Sequence, residues 1–454
     1  MNLDTRLLQG PVTRSLILFA LPMILGNMLQ QLYNVADTLI VGKCIGADAL
    51  AAVGTAFTLM TFLNSIILGL CMGSGVLFSM LYGAKDFDRM KIAFFLSFAG
   101  IGILSLLLEI GCIAGMDPIL RFMNIPPAIY AYTKAYLFYI FLGIFFTFLY
   151  NYFASVLRAL SDSKTPLYFL GVAAVTNIIL DLYFILGLHM SVDGAAIATL
   201  ISQAFSGLGM LIYVFIRQRS ILPSRKHMHY DEDICRRITS YSLLTCIQQS
   251  VMNFGILLIQ GLVNTFGVVT MSAFAAAVKI DSFAYMPVQD FGNAFSTYIA
   301  QNKGAGLIDR MQKGLRSAIG IAFLFCVFIS VLVFVFAPQL MSLFIDPQQP
   351  QIISEGVTYL HVEGACYVGI GCLFLLYGYY RGIGKAGISV VLTVISLGPV
   401  LFYPICLLQG LEHWPFGGRS RLDGFWRMRL VWLMESGKRK RFSGYSTPLS
   451  WKKA

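Results

Sequence analysis

Long apolar runs are the feature of this sequence that most limits its fold. A helix needs about 20 apolar residues to cross a bilayer, and its backbone must satisfy its own hydrogen bonds there. A mean hydropathy of +0.74 with only 12% charged residues is typical of an all-α polytopic membrane protein. The runs lie at 15–41, 52–82, 91–115, 129–157, 166–188, 192–216, 238–264, 270–300, 315–337, 352–380 and 386–408. We interpret the first of them as a span and not as a cleavable signal peptide, because it is long and carries Asp37.

Basic residues are unevenly distributed between the two sides of the predicted spans. If the chain begins in the cytoplasm, the segments outside the cell up to residue 408 hold only Lys43, Arg121 and Lys134, and the inside segments hold many more. The positive-inside rule therefore predicts a multi-pass protein of the cytoplasmic membrane with a cytoplasmic N-terminus. This pattern accounts for the net charge of +11 without a nucleic-acid partner.

The two halves of the sequence repeat. GAKDFDRM at 83–90 matches GAGLIDRM at 304–311, and RALSDSK at 158–164 resembles RGIGK at 381–385. The repeat spans an even number of helices, so the halves share one orientation and are related by an axis along the membrane normal. We expect two pseudo-symmetric six-helix lobes around a central cleft. The predicted boundaries are 1–216 for the first lobe, 217–237 for a cytoplasmic linker and 238–408 for the second lobe.

The composition changes abruptly after about residue 409. Residues 409–454 are basic and contain all four tryptophans, and they include no apolar run long enough for the twelfth helix that the repeat predicts. The twelfth helix is therefore missing or altered. A frameshift near residue 410 fits the change best. A genuine basic tail that returns to the cytoplasm or binds anionic lipid, and a tail buried in the second lobe, are the alternatives.

The first span contains a carboxylate, Asp37. A charged side chain at mid-membrane depth costs about 2.5 to 3.5 kcal/mol on insertion scales, so it normally faces a cavity or the protein interior. Gln30, Tyr33, Asn34 and Asp37 are spaced three or four residues apart and share one helical face. We expect this polar stripe to line a cavity. The alternative is that Asp37 lies at a frayed helix end near the membrane surface.

Three motifs together resemble the multidrug and toxic compound extrusion (MATE) family of bacterial transporters. They are LPMILGNMLQQLYNVADTLIVG at 21–42, the paired GA loops, and TNIILDLYFILGLHMSVDGAAIAT at 176–199. The resemblance covers roughly residues 5–408. It implies two six-helix lobes that export organic, often cationic, compounds in exchange for protons or sodium ions. It also implies that Asp37 and Asp181 are the coupling carboxylates, and that Tyr33, Asn151, Asn177 and Thr199 line the same cavity.

The chemistry of these residues supports the same interpretation. Asn177 lies four residues before Asp181, so its amide can hydrogen-bond the carboxylate or share a cation with it. Asn151 needs a partner inside its helix, whereas Thr199 can simply bond its own backbone. Two neighbouring acids do not both ionise easily, so such a pair can take a proton, a sodium ion or a substrate cation in competition. The only metal we expect is sodium at Asp37, Asn177 and Asp181, and no cofactor is expected.

The second lobe carries further charged residues in its apolar runs. We name Lys279, Asp281 and Asp290 near the eighth span and Glu363 in the tenth as candidates. Lys279 and Asp290 fall on nearly the same helical face but are too far apart to pair directly. Substrate contact and an internal ion pair or interface anchor are equally open for each of these residues.

Motifs for covalent catalysis and nucleotide binding are missing from the sequence: it has no Walker loop, nucleophile elbow, HExxH motif or metal-binding cysteine pair. We therefore expect a secondary antiporter and not an enzyme, acting as a monomer on small organic molecules in the lipid bilayer. A lipid-linked oligosaccharide flippase of the same superfamily is one alternative. A non-transporting receptor or an inactive remnant that lost its C-terminal helix is another.

Overall fold

The computed structural model describes residues 7–123, 125–263 and 268–396, and this part of the chain is almost wholly helical. Where it is described, each predicted apolar run is mainly helical, which confirms the all-α class. The predicted tail at 409–454, and with it the question of a twelfth helix, lies outside the described residues. The helices are α1 (Val12–Cys44), α2 (Ala47–Gly83), α3 (Phe87–Ala114), α4 (Met116–Phe122), α5 (Pro127–Leu142), α6 (Ile144–Ala159), α7 (Lys164–Leu182), α8 (Val192–Arg217), α9 (Glu232–Val263), α10 (Val268–Gly304), α11 (Ile308–Ser342), α12 (Pro350–Gly382) and α13 (Ala386–Ser396).

Seven of the described helices are long and apolar enough to cross a membrane, namely α1, α2, α3, α7 with the turn that follows it, α8, α11 and α12. The pair α5 and α6 makes an eighth span, with a bend of 42° between its two parts. Helices α9 and α10 are also long, but they contain several buried polar and charged side chains. The chain is therefore a multi-pass membrane protein.

The bend in the fourth span differs from the single helix expected over 129–157. The chain breaks at Gly143, and the backbone N–H of Phe145 donates to Glu109 Oε2 on α3 at 3.0 Å. A helix start leaves its first N–H groups without partners in the helix, and a carboxylate from a neighbouring helix can accept from one of them. Glu109 thereby stabilises a second helix start inside one membrane span.

The first helix of each half packs into both halves. Leu16 and Phe19 near the start of α1 belong to the apolar core formed by α10, α11 and α12, whereas Val41 near its end belongs to the core of the first half. In the same way, Ile234 and Ile238 at the start of α9 lie in the first-half core. The two halves are thus joined by exchanged helix ends.

One end of the bundle holds the loops after α2, α6, α8, α10 and α12, and we call it the linker end. There Gly83 of α2 packs against the backbone of Gln301 on α10, and Gly304 of α10 packs against the backbone of Met80 on α2. The shift that carries Gly83 onto Gly304 in the repeated GA loops also carries Met80 onto Gln301. The two contacts are therefore one contact repeated about a quasi-two-fold axis between α2 and α10, as the pseudo-symmetry predicts.

The segment between the halves is held against α3. His227 Nε2 lies 2.8 Å from Asp88 Oδ1, and Lys226 Nζ lies 3.3 Å from the same oxygen. Helix α9 begins at Glu232, so the second half becomes helical before the end of the predicted 217–237 linker. The ion pair of Lys226 and the hydrogen bond of His227 with Asp88 fix the linker to the first half.

Candidate functional site

Packing of α1 against α7 brings Asp37 and Asp181 into one buried region. The Asp37 side chain is 8% exposed and that of Asp181 is 0% exposed, and Asp181 lies within electrostatic range of Asp37. Helix α1 continues to Cys44, about two turns beyond Asp37. Asp37 therefore lies within the helix, and the alternative of a frayed end does not fit this geometry.

The oxygen atoms of this region lack hydrogen-bond partners. Asp37 Oδ1, Asn177 Oδ1 and both carboxylate oxygens of Asp181 are buried and accept no hydrogen bond from the described part of the chain. The Asn177 amide nitrogen donates to Thr199 Oγ1 on α8 over 3.4 Å, and the amide oxygen of the same side chain stays without a donor. Buried oxygens without donors carry a large desolvation cost, so the site suits a proton, a cation or water.

The helix that carries Asn177 and Asp181 changes form directly after them. Helix α7 ends at Leu182, and residues Tyr183–Gly187 form a π-helical turn. Turns of this kind widen a helix and occur often at functional sites. Here the turn begins two residues after Asp181, where a local widening changes the surroundings of that buried carboxylate most directly.

One tyrosine near the carboxylates was missed from the sequence. Tyr136 of α5 is 3% exposed, and it lies within electrostatic range of Asp37, Asp181 and Tyr33. Its segment, PAIYAYTKAYLFYIFL, is rich in tyrosine and phenylalanine, so nothing in the pattern separates Tyr136 from its neighbours. The tertiary arrangement alone identifies it as part of the site.

The remaining residues predicted for the first-lobe cavity make no hydrogen bond to the two carboxylates in the described part of the chain. Gln30, Tyr33 and Asn34 are half-buried, and the side chains of Gln30 and Tyr33 hydrogen-bond each other. Asn151 donates its amide to the carbonyl of Thr147 in its own helix, at 2.9 Å. The structure thus gives Asn151 a local partner and shows no hydrogen bond from it to either carboxylate.

The charged residues of the second half separate into different environments. Asp281 is buried and accepts a hydrogen bond of 2.7 Å from the Tyr367 hydroxyl of α12, and Glu363 lies within electrostatic range of it. Asp290 is also buried, and its Oδ1 accepts from Asn27 Nδ2 of α1 at 2.5 Å. The Lys279 side chain is exposed. The four candidates therefore do not form one site, although Asp281 and Glu363 form a second acidic pair.

The donor set of the first-half region suits a small hard cation better than a transition metal. Its atoms are carboxylate, amide and hydroxyl oxygens of Asp37, Asn177, Asp181 and Thr199, and such oxygens are the usual ligands of hard cations. Among the residues that the structure describes, no group of three or more His, Cys, Asp or Glu side chains could hold a metal ion.

Comparisons with known proteins agree with this architecture. The MatE family model matches residues 22–183 and 242–408. A probable multidrug resistance protein of Bacillus subtilis, YpnP, is 33% identical over 88% of this chain and 89% of the relative. An FAD transporter of Shewanella oneidensis is 26% identical over 87% of this chain and 88% of that protein. The solved structure of a MOP superfamily transporter from Pyrococcus furiosus superimposes with a TM-score of 0.90 at 21% identity, covering 99% of each chain.

Proposed function

The chain belongs to the MatE family of multidrug and toxic compound extrusion transporters, and on that premise we propose that it exports small organic compounds in exchange for protons or sodium ions. We place it in the cytoplasmic membrane with its N-terminus and its linker end in the cytoplasm, because the basic residues concentrate on that side. Export then moves cargo from the linker end to the opposite end.

The buried oxygens of Asp37, Asn177 and Asp181 carry this proposal. Four of these atoms lack a donor, so the site is stable only when a proton, a cation or water occupies it. A proton or sodium ion bound there neutralises the negative charge that would hold a cationic cargo. Each ligand therefore displaces the other, and alternate occupation on the two sides of the membrane gives antiport.

The available driving force is sufficient for such a cycle. One elementary charge moving inward yields about 2.3 kcal/mol per 100 mV, and each unit of pH difference adds about 1.4 kcal/mol. One proton per cycle thus supports an uphill gradient of roughly tens-fold or more for a neutral solute. A cationic cargo cancels part of the voltage contribution.

The cargo of relatives has more than one charge type. The Shewanella oneidensis relative is named an FAD transporter, and FAD carries phosphate groups, whereas multidrug exporters of this kind are expected to take cations. We propose organic cations as the principal cargo of the Asp37 and Asp181 site, because that site presents only acidic and neutral oxygens.

The test is dye export from vesicles that contain the purified protein. We expect export of ethidium to require either a pH or a sodium gradient, each imposed separately, and to be abolished in Asp37→Asn. Asp48→Asn is the matched control, because Asp48 is an exposed acid at the start of α2, and it should export as the wild type does. Export that continues with both gradients collapsed, or that survives Asp37→Asn, contradicts antiport at this site.

A further inference from the structure

A cavity between the two halves contains a different chemistry from the carboxylate site. It measures about 30 Å³, enough for about one small polar group, and it opens among α1, α2, α6, α10 and α12. The polar side chains that line it are those of Ser155, Arg158, Asn293, Ser296, Thr297 and Arg381. Two arginines therefore face one cavity that no carboxylate lines.

The cavity lies on the quasi-two-fold axis. The shift that relates Gly83 to Gly304 also carries Gly75 onto Ser296 and Val76 onto Thr297, and all four of these residues line the cavity. The second repeated segment carries Arg158 onto Arg381. Each half thus contributes one arginine to the same space. The wall formed by α10 in the second half also contributes polar side chains, whereas the matching positions of α2 in the first half are Gly75 and Val76.

This asymmetry decides how each arginine is held. Arg381 is 4% exposed, and it donates from Nη2 to Asn293 Oδ1 at 2.7 Å and from Nε to Ser296 Oγ at 3.2 Å. The buried Nε of Arg158 has no hydrogen-bond partner in the described residues. The equivalent α2 positions are apolar or glycine, so no protein acceptor faces it from there.

One buried acid, Asp290, lies close enough to the arginines for the charge of Arg158 to act on it. Neither arginine forms an ion pair within 4.0 Å in the part of the chain that the structure describes. Asp290 lies on α10 one turn before Asn293, and its Oδ1 already accepts from Asn27. One carboxylate near the cavity therefore stands against two guanidinium groups. Two guanidinium groups around one small cavity repel each other, and an anion between them removes that repulsion.

We propose that this inter-half cavity is an anion site that takes a carboxylate or phosphate group, most directly the anionic group of a transported compound. Guanidinium groups bind such groups with paired, charge-assisted hydrogen bonds, and Arg158 has an unused donor to offer. The proposal rests on the proposed export function and extends its cargo to compounds that carry a negative group. Because the cavity lies between the halves, it widens when they separate at the linker end.

Equilibrium binding in the absence of any gradient tests the proposal. FMN and riboflavin share one fluorescent ring system and differ by a single phosphate, so they form a matched pair of probes. With the wild-type protein in phosphatidylcholine nanodiscs, we expect FMN to bind at least tenfold more tightly than riboflavin and inorganic phosphate to compete with it. Arg158→Gln should remove that preference, and Arg158→Lys should retain part of it.

Two controls keep the result interpretable. Arg217→Gln changes an exposed arginine at the linker end and should bind both probes as the wild type does. The thermal unfolding midpoint of each variant shows whether it is folded, and Arg158 is preferred over Arg381 for substitution because it makes fewer hydrogen bonds.

A second experiment, with phosphatidylglycerol in the nanodiscs, shows whether the bound phosphate belongs to a soluble compound or to a lipid headgroup. If native mass spectrometry shows that this lipid binds to the wild type and not to Arg158→Gln, while FMN shows no preference, the anion site serves a lipid headgroup. Equal binding of FMN and riboflavin together with equal lipid retention in both proteins overturns the proposal. Loss of gradient dependence in ethidium export would contradict the proposed function and leave these binding data unaffected.

Discussion

The contact of Gly83 and Gly304 with the opposite half leads to a quantitative prediction. A Cβ added at Gly83 would lie 2.8 Å from the carbonyl carbon of Gln301 and closer still to its oxygen, and one at Gly304 would meet Met80 in the same way. Real Cβ contacts are essentially never under 3.0 Å. The obstacle in each case is backbone, which cannot rotate away, so Gly83→Ala requires α2 and α10 to move apart.

The cost can be placed on the scale of other overpacking substitutions. Inserting a methyl group into a close-packed contact costs about 1 to 3 kcal/mol, which is a shift of about 5- to 150-fold in an equilibrium. The cost falls only on arrangements in which the two halves touch at the linker end. We therefore expect Gly83→Ala to favour separation at that end, and Gly304→Ala to do so equally.

The assay is a distance measurement by double electron–electron resonance. The spin labels are attached at Lys85 and Leu307, which are exposed and lie just after the two contacts. The nine native cysteines are replaced beforehand, so that only these two positions carry a label. We expect the wild type to give one short distance and Gly83→Ala to add a longer one. In the double variant, the population of the longer distance should rise by less than the two single variants predict together, because one separation relieves both contacts.

Gly54→Ala provides the matched control for the distance measurement. Gly54 lies in the same helix, and an added Cβ there would meet nothing within 4 Å. This substitution should leave the distances unchanged and raise helix stability by up to about 1 kcal/mol. An unchanged distance distribution in both Gly83→Ala and Gly304→Ala would refute the reasoning.

Further substitutions test two individual hydrogen bonds. Glu109→Ala should destabilise the protein by about 0.5 to 2 kcal/mol, seen as a lower thermal midpoint in detergent, because Phe145 N–H loses its acceptor; Glu109→Gln keeps an acceptor and should lose less. Tyr367→Phe should cost about 1 to 3 kcal/mol, because buried Asp281 loses its donor. Tyr359 is a nearby tyrosine whose hydroxyl makes no described hydrogen bond, so Tyr359→Phe should be nearly neutral. Equal losses of stability in the two tyrosine variants would contradict the stabilising role of the Tyr367 hydrogen bond.

The helices were predictable because each span corresponds to one continuous apolar run in the sequence. An apolar run of sufficient length has few alternatives to a membrane helix, and every predicted run is helical where it is described. The bend at Gly143 was not predictable. Its stabilising acceptor, Glu109, lies on another helix, and no local pattern connects that residue with Phe145.

The buried acids of the candidate site, together with Asn177 and Thr199, were predictable from the sequence, but Tyr136 was not. A carboxylate in an apolar run is easy to recognise, because a charge at membrane depth is costly and rare. The sequence therefore identified four such acids: Asp37, Asp181, Asp281 and Asp290. The partners that satisfy or surround them, such as Tyr136, come from helices distant in sequence and have ordinary side chains. Lys279 was found in the same way as the acids, and its side chain is exposed, so substrate contact at Lys279 stays a prediction.

The two halves kept their backbone contacts and diverged in their polar side chains. The glycines at 83 and 304 are retained because only a glycine allows the helix backbones to approach so closely at the axis. Beside the same axis, Gly75 and Val76 on one side face Ser296 and Thr297 on the other. A symmetric hinge needs equal contacts in both halves, whereas a cargo that is itself asymmetric is bound best by unequal walls. On the function proposed above, the unequal cavity walls bind an asymmetric cargo, and the axial glycines keep the contact between the two halves alike on both sides.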